Sequence, residues 1–140
     1  MQHFQQKHPD VELQITANTG LIEFNATTTT DMAIYFGHGD WRGVESIYLR
    51  PVELTPMCSP RLLVGKHALK TPQDLRQQTL IHVSKRVHEW TDWLKLAGVD
   101  YRGFSRGLQF SSSSLATAAA QEGLGVALGD ATLSSAEINQ

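Results

Sequence analysis

An α/β fold with largely parallel sheets is predicted by three features of this chain. Strand-like and helix-like segments alternate to its end. Short apolar runs stand where a strand would be buried on both faces. Glycine or proline punctuates nearly every change of element.

The first strand is expected at residues 11–16, where Val11, Leu13 and Ile15 alternate with Glu12, Gln14 and Thr16. Residues 20–30 have room for one short helix, with Leu21, Ile22, Phe24 and Ala26 as its apolar members. Met32-Ala33-Ile34-Tyr35-Phe36 then reads as a buried strand closed by Gly37. This strand–helix–strand spacing suits a right-handed parallel crossover. Gly37-His38-Gly39-Asp40-Trp41-Arg42-Gly43 is a loop, and residues 47–57 read as extended chain whose pairing Pro51 and Pro56 restrict. That stretch is the candidate connection between two lobes.

The second half is punctuated more clearly. Ser59-Pro60 places a capping residue before a proline at the first helical position, opening a short helix through Leu63. Thr71-Pro72-Gln73-Asp74 repeats the signature, with Asp74 set to complement the helix's positive end. Residues 79–83 form a strand. Trp90, Trp93, Leu94 and Ala97 follow at helical spacing, and Gly98 marks the stop. Leu108 and Phe110 mark another strand, which leads through four serines into a helix at about residues 115–122 ended by Gly123. Residues 125–129 are the last apolar strand.

Composition excludes several function classes. Twelve basic against fourteen acidic residues leave a net charge of −2, with no basic stripe to neutralise phosphates, so direct nucleic-acid binding by this segment is not expected. Cys58 is the single cysteine, which excludes an internal disulfide and a thiolate metal cluster. No apolar run approaches the roughly 20 residues that span a bilayer, and the N-terminus lacks a secretory apolar stretch. A cytoplasmic protein is expected. The six histidines show no pair at metal-binding helical spacing, so no metal and no cofactor are expected. There is no G-x-S-x-G elbow for a hydrolase, and no G-x-G-x-x-G follows the first strand.

The most informative local feature is Ser111 to Ser114 at a strand-to-helix junction. A helix start leaves backbone N–H groups unpaired and favours an anion, while serine hydroxyls add donors without fixed charge. The run reads equally as plain capping by one serine. Trp41 reads either as a pocket wall or as a packed surface aromatic. Asp130 reads as the cap of a helix starting near Thr132.

The order of these pieces resembles the effector-binding domain of LysR-type transcriptional regulators. Phe4, His8-Pro9, Val11 and Leu13 are similar to the family's F…H-P-x-V-x-L stretch, and Asp31-Met32-Ala33-Ile34 to its D-L/M-A-I strand. Gly37-His38-Gly39-Asp40-Trp41 resembles the G-x-G-x-W loop of the branch with glycine-cleavage activators and β-lactamase regulators. Cys58-Ser59-Pro60, Thr71-Pro72-Gln73-Asp74-Leu75, the stretch from Trp90 to Val99 and that from Phe110 to Gly129 continue the likeness in order.

The resemblance implies a two-lobed, periplasmic-binding-protein-like (type 2) effector domain, with lobe one at residues 1–55 and lobe two at residues 56–140. It implies a small effector of the amino acid or small organic acid class, held between the lobes and bearing a carboxylate. For the serines it tips the balance toward ligand binding. The implied effector contacts are Asn18, Thr19, Phe36, Gly37 and Trp41 from lobe one, and Val83, Ser84, Ser111, Ser112, Ser113 and Gly129 from lobe two, following the rule that ligands sit at strand C-terminal ends. Homodimers or larger homo-oligomers are implied, with DNA bound only through a domain outside this chain and no membrane partner. The family's winged helix-turn-helix, the first strand of lobe one and the return crossing to that lobe have no counterpart here, so the chain is expected to be a piece of such a regulator. Two rival readings stand beside the sensor: a remnant that has lost ligand binding, and a small α/β enzyme.

Overall fold

The computed structural model describes every residue except Met1, Asn18, Thr19, Leu21, Ala26, His38, Ser105, Arg106 and residues 133–140. The chain divides into two units, Met1–Ile47 and Tyr48–Gln140.

The second unit carries the sheet. Its strands are β1 (Leu54–Met57), β2 (Leu80–Val83), β3 (Leu108–Phe110) and β4 (Val126–Asp130), in the spatial order β1-β4-β2-β3. β2 runs parallel to both β3 and β4, with Leu80 opposite Val126 and Val83 opposite Phe110. β1 pairs antiparallel with β4, Leu54 opposite Asp130 and Met57 opposite Ala127. Pro56 sits inside β1, where its missing N–H is tolerated because β1 is an edge strand.

Alternation along the two central strands builds two hydrophobic layers. Leu80, Val126 and Leu128 face Trp90, Leu94, Val99 and Leu75. Ile81, Val83 and Ala127 face the opposite way, onto Ala116, Ala119 and Ala120. These alanines belong to helix α3 (Ser113–Gln121), whose small buried side chains bring its backbone close to the sheet. Trp90 and Leu94 are the buried residues of helix α2 (Glu89–Leu96). Acidic Glu89 and Asp92 in its first turn and Lys95 in its last suit the helix dipole. The indole N–H of Trp90 donates to the Ile81 carbonyl at 2.8 Å, fixing α2 against β2. Gly98, at a φ of +70°, ends the helix with the Val99 N–H donating to the Leu94 carbonyl at 2.8 Å.

The two Pro-opened segments are 3-10 helices, Pro60–Leu63 and Pro72–Gln77. The Ser59 hydroxyl accepts no capping hydrogen bond; its carbonyl accepts from the Leu62 N–H at 3.0 Å instead. Asp74 acts as expected. Its carboxylate accepts from the Thr71 N–H at 2.8 Å, the Lys70 N–H at 3.0 Å and the Thr71 hydroxyl at 2.9 Å, and these bonds hold its carboxyl below the usual carboxylate range.

The first unit corrects three expectations. Its only helix among the described residues is α1 (Gln2–Lys7). Residues 11–16 and 32–36 form no strands, and no helix forms within residues 20–30 apart from the undescribed Leu21 and Ala26. Alternating side chains prepare a segment for a sheet, but a strand exists only once a neighbour takes its N–H and C=O groups. Here Ile15, Met32, Ile34 and Phe36 remain exposed, all four more than half so. Residues 20–30 fail as a helix because polar side chains compete for the backbone. The Asn25 carboxamide oxygen accepts from the Thr27 N–H at 3.0 Å and the Thr27 hydroxyl at 2.7 Å, and the Thr28 hydroxyl donates to the Glu23 carbonyl. The tract of β-branched threonines through Thr30 adds low helix propensity.

Two predictions follow the layering. Leu94→Ala opens a cavity in the α2 layer and lowers stability by about 2–5 kcal/mol in urea unfolding, whereas Leu96→Ala, at an 89% exposed position, changes it by less than about 0.5 kcal/mol. Burial holds the His82 imidazole below its ordinary value of 6.5, because desolvation disfavours the imidazolium. The unfolded chain therefore binds a proton that the folded one resists, so His82 costs stability as pH falls below 6.5. In unfolding curves taken on either side of that pH, His82→Gln gives a shallower acid loss than the parent; parallel curves contradict this.

Candidate functional site

Because β2, β3 and β4 run the same way, the segments leaving their C-terminal ends gather on one side of the sheet. Ser84 leaves β2 there, Ser111 leaves β3, and Gly129 and Asp130 close β4. Ser84 is tied twice to the neighbouring strand. Its N–H donates to the Phe110 carbonyl at 2.9 Å, and its hydroxyl donates to the same oxygen at 3.0 Å.

Two residues beyond that carbonyl the chain enters α3. Ser112 is the N-cap, in extended conformation, and its hydroxyl accepts from the Leu115 N–H at 3.4 Å. The capping reading of the serine run is thus realised by Ser112. It satisfies one donor of the helix start. The N–H groups of Ser113 and Ser114, the first two of the helix, meet no acceptor among the described residues. Ser111 is exposed and Ser113 half-buried, so hydroxyls and amides of one short segment face the same end of the sheet. All are neutral donors, and the helix dipole biases them toward a negative guest.

The remaining expected contacts of this unit are placed differently. Val83 is buried, its side chain packed into the alanine layer, so only its backbone stands at the strand end; its carbonyl accepts from the Arg86 N–H at 2.9 Å. Gly129 is buried against β1: an added Cβ would lie 2.5 Å from the Met57 sulfur. That glycine makes room for Met57 across the strand pair.

In the first unit, Asn18 and Thr19 lie outside the described residues. Trp41 is half-buried and packs against both Tyr35, with ring centroids 5.8 Å apart, and the backbone of Gly37, where an added Cβ would lie 2.9 Å from the indole. Phe36 is exposed. The Tyr35 hydroxyl accepts from the Ile22 N–H at 2.6 Å and donates to the Gly20 carbonyl at 3.2 Å. Tyr35, unremarked as a sequence feature beyond its strand-like run, is thus what orders this group.

One feature at the strand ends was invisible in the sequence. Arg50 pairs with Asp130 at 2.9 Å across 80 residues of chain, the carboxylate 7% exposed and the guanidinium 34%. Asp130 also accepts from the Thr132 N–H at 2.9 Å, the helix-start role expected for it. The pair neutralises the Asp130 charge at the same end of the sheet as the serine donors. Among the described residues no cluster of three potential metal ligands exists, and no helix is long and apolar enough to cross a membrane.

The family model of the LysR substrate binding domain matches residues 1–140. A glycine cleavage system transcriptional activator of Escherichia coli K12 is 34% identical over 135 residues, covering 96% of this chain and 44% of that protein. An HTH-type transcriptional activator AmpR of Rhodobacter capsulatus is 38% identical over 128 residues, covering 91% of this chain and 42% of its own. The chain therefore spans less than half the length of these regulators. The solved effector domain of AmpR from Pseudomonas aeruginosa superposes with a TM-score of 0.84 at 32% identity, over 99% of this chain and 64% of that one. The α/β class and the mixed, mainly parallel sheet agree with that architecture.

Asp130→Asn removes the charge from the ion pair, while an amide oxygen can still accept from the Thr132 N–H. It should cost about 1.5–3 kcal/mol, the range for a hydrogen bond to a charged group, and Arg50→Met should cost no further stability in the double variant. Additive losses in chemical unfolding would show that the two residues act separately.

Proposed function

Since this chain belongs to the LysR substrate-binding domain family, we propose that it is the effector-sensing module of a DNA-binding transcriptional regulator, holding a small carboxylate-bearing molecule. One observation carries the ligand class: the Ser113 and Ser114 amides at the start of α3 are unspent, beside a Ser84 already fixed to Phe110. A carboxylate accepts from two such amides and from adjacent hydroxyls without meeting a buried fixed charge. An amino acid or a small organic acid is the class this suits. The relatives are named as transcriptional activators, which supports a sensing role over catalysis.

The proposal extends to the intact regulator. DNA is bound by a different segment, the protein works in the cytoplasm as a homodimer or larger homo-oligomer, and the effector acts by favouring one arrangement of that assembly. Trp41, Gly37 and Phe36, with Asn18 and Thr19, are proposed as further effector contacts.

A second reading has its own support. The described residues of the first unit form no paired strands and leave Met32 and Ile34 more than three-quarters exposed, as would a remnant unable to hold ligand.

Calorimetric titration with a panel of free amino acids and small mono- and dicarboxylates separates the two. Saturable binding of at least one compound is expected; flat traces throughout favour the remnant. Ser113→Pro makes the decisive variant. Proline suits the first helical position, and the extended Ser112 before it tolerates proline, yet the N–H is deleted. Binding should weaken about 10-fold to 100-fold, one charge-assisted hydrogen bond's worth, with Ser113→Ala isolating the hydroxyl's share. Trp41→Ala in the same titration tests the first unit. Equal affinity in Ser113→Pro and the parent sinks the anion-at-helix-start reading.

A further inference from the structure

A groove of about 630 Å³ lies at the other end of the sheet, lined by Arg61, Leu62, Val64, Lys66, His67, Gln77 and Gln78. The first 3-10 helix follows β1 and the second precedes β2, so both stand where β2 and β4 begin. The serine donors stand where those strands finish, roughly 13–17 Å away by strand length. The groove is therefore a different place from the effector site proposed above, and independent of it.

Its chemistry is one-sided. Arg61, Lys66 and His67 line it with two carboxamides, and no carboxylate does. The chain as a whole is slightly acidic, so this is a local concentration of positive charge and not a reflection of overall basicity. Neither Arg61 nor Lys66 forms an ion pair among the described residues. The acid on the neighbouring 3-10 helix, Asp74, is already spent on the Thr71 and Lys70 backbone.

The walls are also held in place. The Leu69 N–H donates to the Leu62 carbonyl at 2.9 Å, and Gly65, at a φ of +91°, turns the loop back over the first 3-10 helix. His67 Nδ1 lies 2.7 Å from Gln77 Oε1, an acceptor, so Nδ1 carries the hydrogen. The Gln78 amide donates to the His67 carbonyl at 3.1 Å. These bonds join the loop to the second 3-10 helix and hold the backbone that carries Lys66 and His67.

We infer that this groove is a second anion site, taking a small, multiply charged oxyanion of the phosphate class. A nucleic-acid backbone would need a long basic stripe, and the chain as a whole is slightly acidic.

The test is a titration of the isotopically labelled chain with inorganic pyrophosphate, followed by amide NMR against sodium chloride at matched ionic strength. Saturable shifts confined to the amides of Leu62, Val64, Lys66, His67, Gln77 and Gln78 are expected with pyrophosphate and not with chloride. The double variant Arg61→Glu with Lys66→Glu, at exposed positions, should weaken binding at least about tenfold, the factor of one lost charge-assisted contact. Lys66→Gln alone should give a smaller loss, while Ser113→Pro should leave pyrophosphate binding unchanged. Equal shifts with chloride, unchanged affinity in the double variant, or loss in Ser113→Pro each overturn the inference. So does tighter saturable binding of a 20-base-pair duplex at the same amides, which would make the groove a nucleic-acid contact.

Discussion

Everything in the second unit depends on the double burial of β2 and β4. Leu80 and Val126 on one face, and Ile81 and Ala127 on the other, are shut off from water. Each strand residue removed from solvent on both sides contributes about 25 cal/mol per Å² of apolar area, but only if a helix covers each face. The cover is unequal. Trp90 and Leu94 fill one side with bulk, whereas three alanines cover the other with almost none. A helix seated on alanines sits close and admits little sideways slip, so the start of α3 is held in fixed relation to Ser84 and the strand ends. The geometry of the donors is thus a consequence of packing, set several residues away from the donors themselves.

The electrostatics follow the same division. At the strand C-termini the strongly buried charge among the described residues, Asp130, is matched by Arg50, and the donors at the start of α3 are neutral dipoles. Neutral donors desolvate at smaller cost than a buried lysine or arginine would, and they release a carboxylate more readily. At the opposite end, the cations around Gly65 are exposed and unmatched, an arrangement that attracts multiply charged anions while remaining sensitive to salt. Two ends of one small sheet therefore present different versions of positive potential.

How far the sequence foretold this differs between the units for a physical reason. In the second unit the decisive signals were local: proline after Ser59 and Thr71, glycine after α2 and α3, and the short apolar run of β4. Local signals suffice where burial on both sides then enforces them. In the first unit the alternation at Val11, Leu13 and Ile15 had no ladder to join, and propensity without a partner leaves extended chain. The serine run was readable as a helix start, but not the choice of Ser112 as cap, since any of the four residues has a suitable hydroxyl. Arg50 with Asp130 could not be read at all, because residues 80 positions apart carry no periodic signature. The same holds for Tyr35, whose hydroxyl bridges to Gly20 and Ile22.

Pro56 carries an implication for assembly. Its ring nitrogen has no hydrogen, so the margin of the sheet on which β1 lies is short of a rung for any incoming strand. Continuous growth by strand addition is blunted on that side, and β3, three residues long, offers only a brief template on the other. Copies of this unit are thereby steered away from edge-to-edge polymerisation, and toward contacts made through side chains.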